Sequence, residues 1–206
     1  MKTTIKVLVV LALAMATFMQ HSTASAADTF KFRGEGAQAF FSSTDGCIVT
    51  DVSVSATDGI FQNPPGEGSP VFDVFLFISQ YDFCTDTQLL RASGYTQLAD
   101  AEFQVSPQLD SATLNTTVNV FDFESNTSFD VFVNLAWTGI SPLSRDSSKF
   151  HFKSPGCNYH LRIRGDFRFA EVSGSVSDGT TNFTPDPSID ARTYSSKSGE
   201  VVIGCN

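Results

Sequence analysis

From residue 27 onward the chain alternates apolar and polar positions with period two almost throughout, the pattern of half-buried β-strands. Phe129, Val131, Val133, Leu135 and Trp137 share one face of a strand, with Asp130, Phe132, Asn134 and Ala136 opposite. Phe72, Val74, Leu76 and Ile78 repeat the pattern, with Asp73, Phe75, Phe77 and Ser79 opposite. Turn signals punctuate these runs at Asp45-Gly46, Asp58-Gly59, Asn63-Pro64-Pro65-Gly66, Ser125-Asn126, Pro155-Gly156 and Asp178-Gly179. No amphipathic helical pattern interrupts them. About ten short strands with this spacing predict an all-β, antiparallel fold, a two-sheet β-sandwich in the first instance and a β-barrel as the alternative.

Two segments echo one another. Phe72-Asp73-Val74-Phe75 recurs as Phe129-Asp130-Val131-Phe132, in each case after an earlier strand and a loop. If Ile48–Ala56 and Phe72–Tyr81 form a hairpin, its loop centres on Pro65-Gly66, and Cys47 and Cys84 meet at its open end.

The opening segment has a different pattern. Lys2 and Lys6 precede a wholly apolar run from Val7 to Ala16, and Ala24-Ser25-Ala26 forms a small-x-small site. This is the three-part layout of a secretory signal peptide over residues 1–26, with one domain over 27–206. The run falls short of the roughly 20 apolar residues of a membrane-spanning helix. The expected destination is secreted or extracellular, periplasmic if the host is Gram-negative.

An oxidising destination changes the meaning of the four cysteines. Cys47, Cys84, Cys157 and Cys205 read as two disulfides, Cys47–Cys84 from the hairpin argument and Cys157–Cys205 by elimination.

Charge narrows the partners. The chain carries 13 Lys+Arg against 22 Asp+Glu, a formal net charge of −9. Such an average field repels nucleic acid. Against this background, Arg145–Arg168 holds six basic residues and both histidines that follow the signal segment. Folding the chain at Pro155-Gly156 sets Phe152 against Tyr159, His151 against His160, Phe150 against Leu161 and Lys149 against Arg162. The basic residues then segregate from the apolar ones, and a slip of one residue would destroy that segregation. Lys149, His151, His160, Arg162, Arg164 and Arg168 are therefore the candidate ligand-binding strip, suited to an anionic glycan, phosphate or carboxylate. The bland alternative is a solvated outer face.

Other motifs carry less. Cys157-x-x-His160 has metal-like spacing, but a disulfide at Cys157 would remove the thiolate. Arg164-Gly165-Asp166 spells an adhesion tripeptide, yet the alternation places it inside a strand. Asp122, Glu124, Asn126 and Asp130 have the 1, 3, 5, 9 spacing of a calcium loop, but Thr127 and Val133 stand where its glycine and final acid belong, leaving at most a weak Ca²⁺ site. No other cofactor is implied. Gly-x-Ser-x-Gly, His-Glu-x-x-His and Ser-x-x-Lys do not occur. The residues favour a non-enzymatic domain that binds an extracellular ligand, surface or partner. The alternatives are a secreted hydrolase with paired carboxylates and a structural envelope or matrix protein. Oligomeric state is not legible.

Overall fold

In the computed structural model the described residues are 29–62, 68–154, 157–184 and 190–203. The expected signal segment and Cys205 lie outside them. The chain is all-β: β1 (Thr29–Asp45), β2 (Ile48–Gln62), β3 (Gly68–Asp82), β4 (Thr87–Gln97), β5 (Phe103–Val105), β6 (Ser111–Asp122), β7 (Thr127–Gly139), β8 (Ser144–Ser154), β9 (Cys157–Ser177) and β10 (Asp190–Ile203). Every pairing is antiparallel. The strand order is β10-β1-β2-β3-β4-β6-β7-β9-β8, with β5 on β6, and β9 also pairs with β10. β9 achieves this by changing neighbours along its 21 residues. Its second half pairs with β7, while its first half lies between β8 and β10.

One face of the sheet builds a single core. Val52, Val54 and Ala56 on β2 face Ile78, Leu76 and Val74 on β3, and Val118 and Val120 on β6 lie opposite Val131 and the half-buried Phe129 on β7. All of these except Phe129 are essentially inaccessible. Alternation at every second residue makes this possible, because cross-strand partners share a face. Trp137 sits in this core and donates Nε1–H to the Gln38 carbonyl, 2.8 Å away on β1. The echoed phenylalanines, Phe72 and Phe129, pack equivalently at its margin.

The predicted hairpin is present. β2 and β3 pair in one unbroken register, Ile48 with Asp82 through Gln62 with Gly68. Cys47 and Cys84 are bonded, with 5.5 Å between their Cα atoms. Cys157 is also disulfide-bonded; its expected partner, Cys205, lies outside the described residues.

Phe75 and Phe132 point away from the core and are exposed, while Phe77 is half-buried. Among the described residues, two of these three outward-facing rings are thus open to solvent.

Candidate functional site

The proposed β8–β9 register is the one observed. His151 faces His160 with rings stacked 4.2 Å apart, and Phe152 faces Tyr159 at 4.6 Å. Lys149 faces Arg162 and Phe150 faces Leu161. The Arg164-Gly165-Asp166 triplet lies within β9, as its alternation requires.

Which face these residues occupy differs from the simplest expectation. Further along β9, Ala170, Val172 and Val176 are buried in the core. Counting back by twos from Ala170 gives Arg168, Asp166, Arg164, Arg162 and His160, so the basic residues lie on the core-side face. The apolar stripe of Leu161, Ile163, Phe167 and Phe169 takes the opposite face, where the first three are half-buried and Phe169 is exposed, while His160, Arg162 and Arg164 are exposed on theirs. Apolar character alone misleads here because both faces of this half-strand leave the core behind. The other half of the strand sets the parity.

Following the registers across six strands turns the strip into a surface. One row runs Arg145, Asp166, Ser195, Glu35, Asp58 and Phe72, from β8 to β3. The next row outward runs Ser147, Arg164, Lys197, Arg33 and Ile60, and the one beyond runs Lys149, Arg162, Gly199, Lys31 and Gln62. In the opposite direction comes Arg168, Thr193, Ala37, Ala56 and Val74, where the core begins. Moving away from the core, this face passes from apolar to acidic to basic. Lys31, Arg33 and Lys197 thus join the strip from strands far away in sequence. The signal for two of them was present, since Phe30-Lys31-Phe32-Arg33 alternates rings and cations as β9 does.

A cleft of about 940 Å³ opens on the inner two of these charged rows, lined among others by Arg33, Glu35, Asp58, Arg145, Arg164 and Lys197. Arg145 Nε donates to Asp166 Oδ1 at 2.9 Å, so this pair is mutually satisfied. Glu35 and Asp58 face one another across β1 and β2. Partial burial, then the neighbouring Asp58 charge, pushes the Glu35 carboxyl above its ordinary value. Partial burial and Asp100 do the same to Asp58. A carboxyl with a raised folded-state pKa favours folding while protonated, and that contribution is lost as pH rises through the folded value. Glu35→Gln and Asp58→Asn should therefore stabilise the protein at neutral pH. In thermal melts the gain should vanish below the ordinary values of 4.5 and 3.8.

Arg168 belongs to a different task. Its Nη1 donates to the Ser141 carbonyl at 2.9 Å and its Nη2 to the Gln108 carbonyl at 3.3 Å. It clamps the loops after β5 and β7 and is removed from the ligand strip.

The calcium-like set does not converge. Asp122 is buried, and its carboxylate accepts from the backbone N–H groups of Arg91, Glu124 and Ser125 and from Ser125 Oγ. Burial alone would raise its pKa, but these donors together hold it below the ordinary range. Glu124 pairs with Arg91 at 3.6 Å, and Asp130 accepts from Asn119. The spacing reflects a turn. Asp122-Phe123-Glu124-Ser125-Asn126-Thr127 repeats Asp82-Phe83-Cys84-Thr85-Asp86-Thr87, where Asp82 likewise accepts from the N–H groups two and three residues on. In both turns the fifth residue is left-handed, with φ of 54° at Asp86 and 58° at Asn126, a region Asn and Asp tolerate. Asp122→Ala leaves three part-buried backbone hydrogen bonds without their acceptor and should cost about 1–3 kcal/mol by chemical denaturation. The depressed pKa predicts that this difference narrows as pH falls through the folded value.

Among the described residues, the one group of three His, Cys, Asp or Glu side chains close enough to share a metal is Cys47, Asp82 and Cys84, and its two sulfurs are bonded to each other. The disulfide at Cys157 likewise removes the thiolate from Cys157-x-x-His160. Asp73 accepts a hydrogen bond from Tyr95, diagonal to it on β4, at 2.8 Å, and Asp130 accepts one from Asn119, directly opposite on β6. Comparisons with protein-family models, with curated proteins and with solved structures give no match, so the cleft is interpreted from its own chemistry.

Proposed function

We propose that the chain is an exported, non-enzymatic binding protein of one domain, that its sheet closes as a barrel, and that the cleft takes an anionic glycan. The barrel reading rests on the β9–β10 ladder, which joins β10, at one end of the strand order, to β9, one strand in from the other end, and leaves β8 outside the closure. The function rests on one observation: Arg33, Lys197 and Arg164 occupy consecutive strands in one row, with Lys31, Arg162 and Lys149 in the row beyond, in a chain of net charge −9. Neighbouring strands lie about 4.8 Å apart, so three cations in a row span roughly 10 Å. That span suits a ligand bearing several carboxylates or sulfates. Like charges on adjacent strands repel one another until such a ligand arrives. The acidic row beneath offers acceptors to hydroxyl groups, which favours a sugar over inorganic phosphate.

Calorimetric titration with sulfated and uronic-acid oligosaccharides tests this. Charge-assisted hydrogen bonds contribute about 1.5–3 kcal/mol each. Arg33→Ala/Arg164→Ala/Lys197→Ala should therefore weaken binding by at least 100-fold, and affinity should fall as salt screens the rows. Salt-independent binding, or an unchanged triple variant, would refute the proposal.

A hydrolase remains the second reading because Glu35 and Asp58 are paired acids in a cleft, both with raised pKa values. One pair of variants separates the two readings. Glu35→Gln and Asp58→Asn remove negative charge beside the basic rows, so a binder holds its anionic ligand more tightly. In a hydrolase the same changes abolish turnover.

A further inference from the structure

β8 is bonded to β9 along its whole length, Ser144 with Phe167 through Ser154 with Cys157, and among the described residues it pairs with no other strand. Of its eleven residues only Ser144 and Ser148 are even half-buried. The strand therefore projects with both faces and one edge in solvent. Free strand edges invite additional strands, and proteins usually blunt them with proline, bulges, short length or charged side chains, lysine above all. β8 contains no proline and its register is unbroken, so its protection is electrostatic: Arg145, Lys149 and Lys153 repel a cationic or identical strand but leave the main-chain edge open to an acidic one.

Its side chains are sorted. Arg145, Ser147, Lys149, His151 and Lys153 lie on the core-side face, and Asp146, Ser148, Phe150 and Phe152 point outward. Phe150 is 42% exposed and Phe152 49%. Asp166 satisfies Arg145, whereas Lys149 and Lys153 form no ion pair among the described residues. This pattern discriminates between partners. A second copy set antiparallel about Lys149 would place Arg145 against Lys153 and Lys149 against itself, which like-charge repulsion opposes. An incoming strand with acids at alternate positions would meet Lys149 and Lys153 directly, and its apolar residues would cover Phe150 and Phe152. Attraction to one partner and repulsion of another together constitute specificity.

We propose that β8 is a docking edge for an extended acidic segment of another protein, which joins the sheet as an additional strand. The recognised chemistry is main-chain hydrogen bonding along the edge, carboxylates at every second residue and apolar side chains between them. The proposal goes beyond the glycan reading: Lys149 is common to both, whereas the free edge, Lys153 and the two phenylalanines belong to this one alone.

The test uses a fluorescein-labelled peptide of alternating Glu and Val, nine residues long, with anisotropy as the readout. Two controls are a peptide of the same composition with Glu and Val in separate blocks, and the alternating peptide N-methylated at every backbone amide, which blocks both of its edges. Hydrogen exchange on the complex locates the contact. The alternating peptide should bind at least tenfold more tightly than either control and slow exchange at residues 144–154. Lys149→Glu/Lys153→Glu, at exposed positions, should weaken it at least tenfold while leaving the circular dichroism spectrum unchanged. Equal binding of either control overturns the proposal, because the block peptide cannot present carboxylates to one face and apolar side chains to the other, and the N-methylated peptide cannot donate along the edge. So does protection confined to the cleft, or sedimentation showing that β8 is already occupied by a second copy. Loss of oligosaccharide binding in the Arg33/Arg164/Lys197 variant with peptide binding intact would separate the two sites.

Discussion

Trp137→Ala should lower stability by about 4–5 kcal/mol, the largest loss expected from any single substitution in this fold. The indole is 1% exposed and is the largest side chain wholly within the core. Truncation to alanine removes its burial and leaves a cavity that the close-packed strands cannot collapse to fill. It also removes the 2.8 Å hydrogen bond that crosses from β7 to the Gln38 carbonyl on β1. Trp137→Phe separates these contributions, since it keeps most of the volume but not the donor, and should cost about half as much. As the only tryptophan, Trp137 makes wild-type unfolding directly visible by fluorescence. Circular dichroism in urea follows both variants. A loss below about 2 kcal/mol for the alanine variant would mean that the core is less tightly packed than these burials indicate.

Replacing the Cys47–Cys84 disulfide with two alanines should cost about 4 kcal/mol in the chain-entropy model, given a sequence separation of 37. The bridge ties the turn between β1 and β2 to the turn between β3 and β4. Its neighbourhood carries further order, because Phe83 donates its backbone N–H to the Cys47 carbonyl at 3.0 Å. For a protein of this size the loss corresponds to a Tm roughly 8–16 °C lower. Comparing the double-alanine variant with wild type in calorimetric scans checks it. Reduction of the wild type is a weaker test, because Cys157 is also disulfide-bonded and would be reduced too.

These two predictions illustrate what could be read from the sequence. The β2–β3 hairpin and its disulfide were legible because Cys47 and Cys84 are nearly equidistant from Pro65-Gly66, so local symmetry fixes the register. The β8–β9 register was legible for a similar reason: only one alignment separates cations from rings. Pairing between remote strands leaves no such trace. Nothing local tells Arg33 that Lys197 lies beside it, or Lys197 that Arg164 lies on its other side. The acidic–basic succession of the cleft was therefore invisible, although each strand's alternation was plain. The segment around Asp122 was ambiguous for another reason. A cation loop and an aspartate-led turn both place side-chain oxygens at alternate positions, and they differ only in whether metal or backbone N–H groups use those oxygens. The duplicate at Asp82 was the available clue.

The ladder between β1 and β10 has a temporal side. Thr29 pairs with Val201 and Phe40 with Asp190, so one edge of β1 waits for a strand separated from it by all the other described strands. A chain that emerges N-terminus first can assemble β1 to β4 as a meander of neighbours, but β1 keeps one row of backbone groups unmatched until β10 appears. Such long-range closure slows folding and prolongs the interval in which an open edge can meet another chain. A circular permutant that joins β10 directly to β1 would make this pairing local, and should fold faster and aggregate less with the same final contacts.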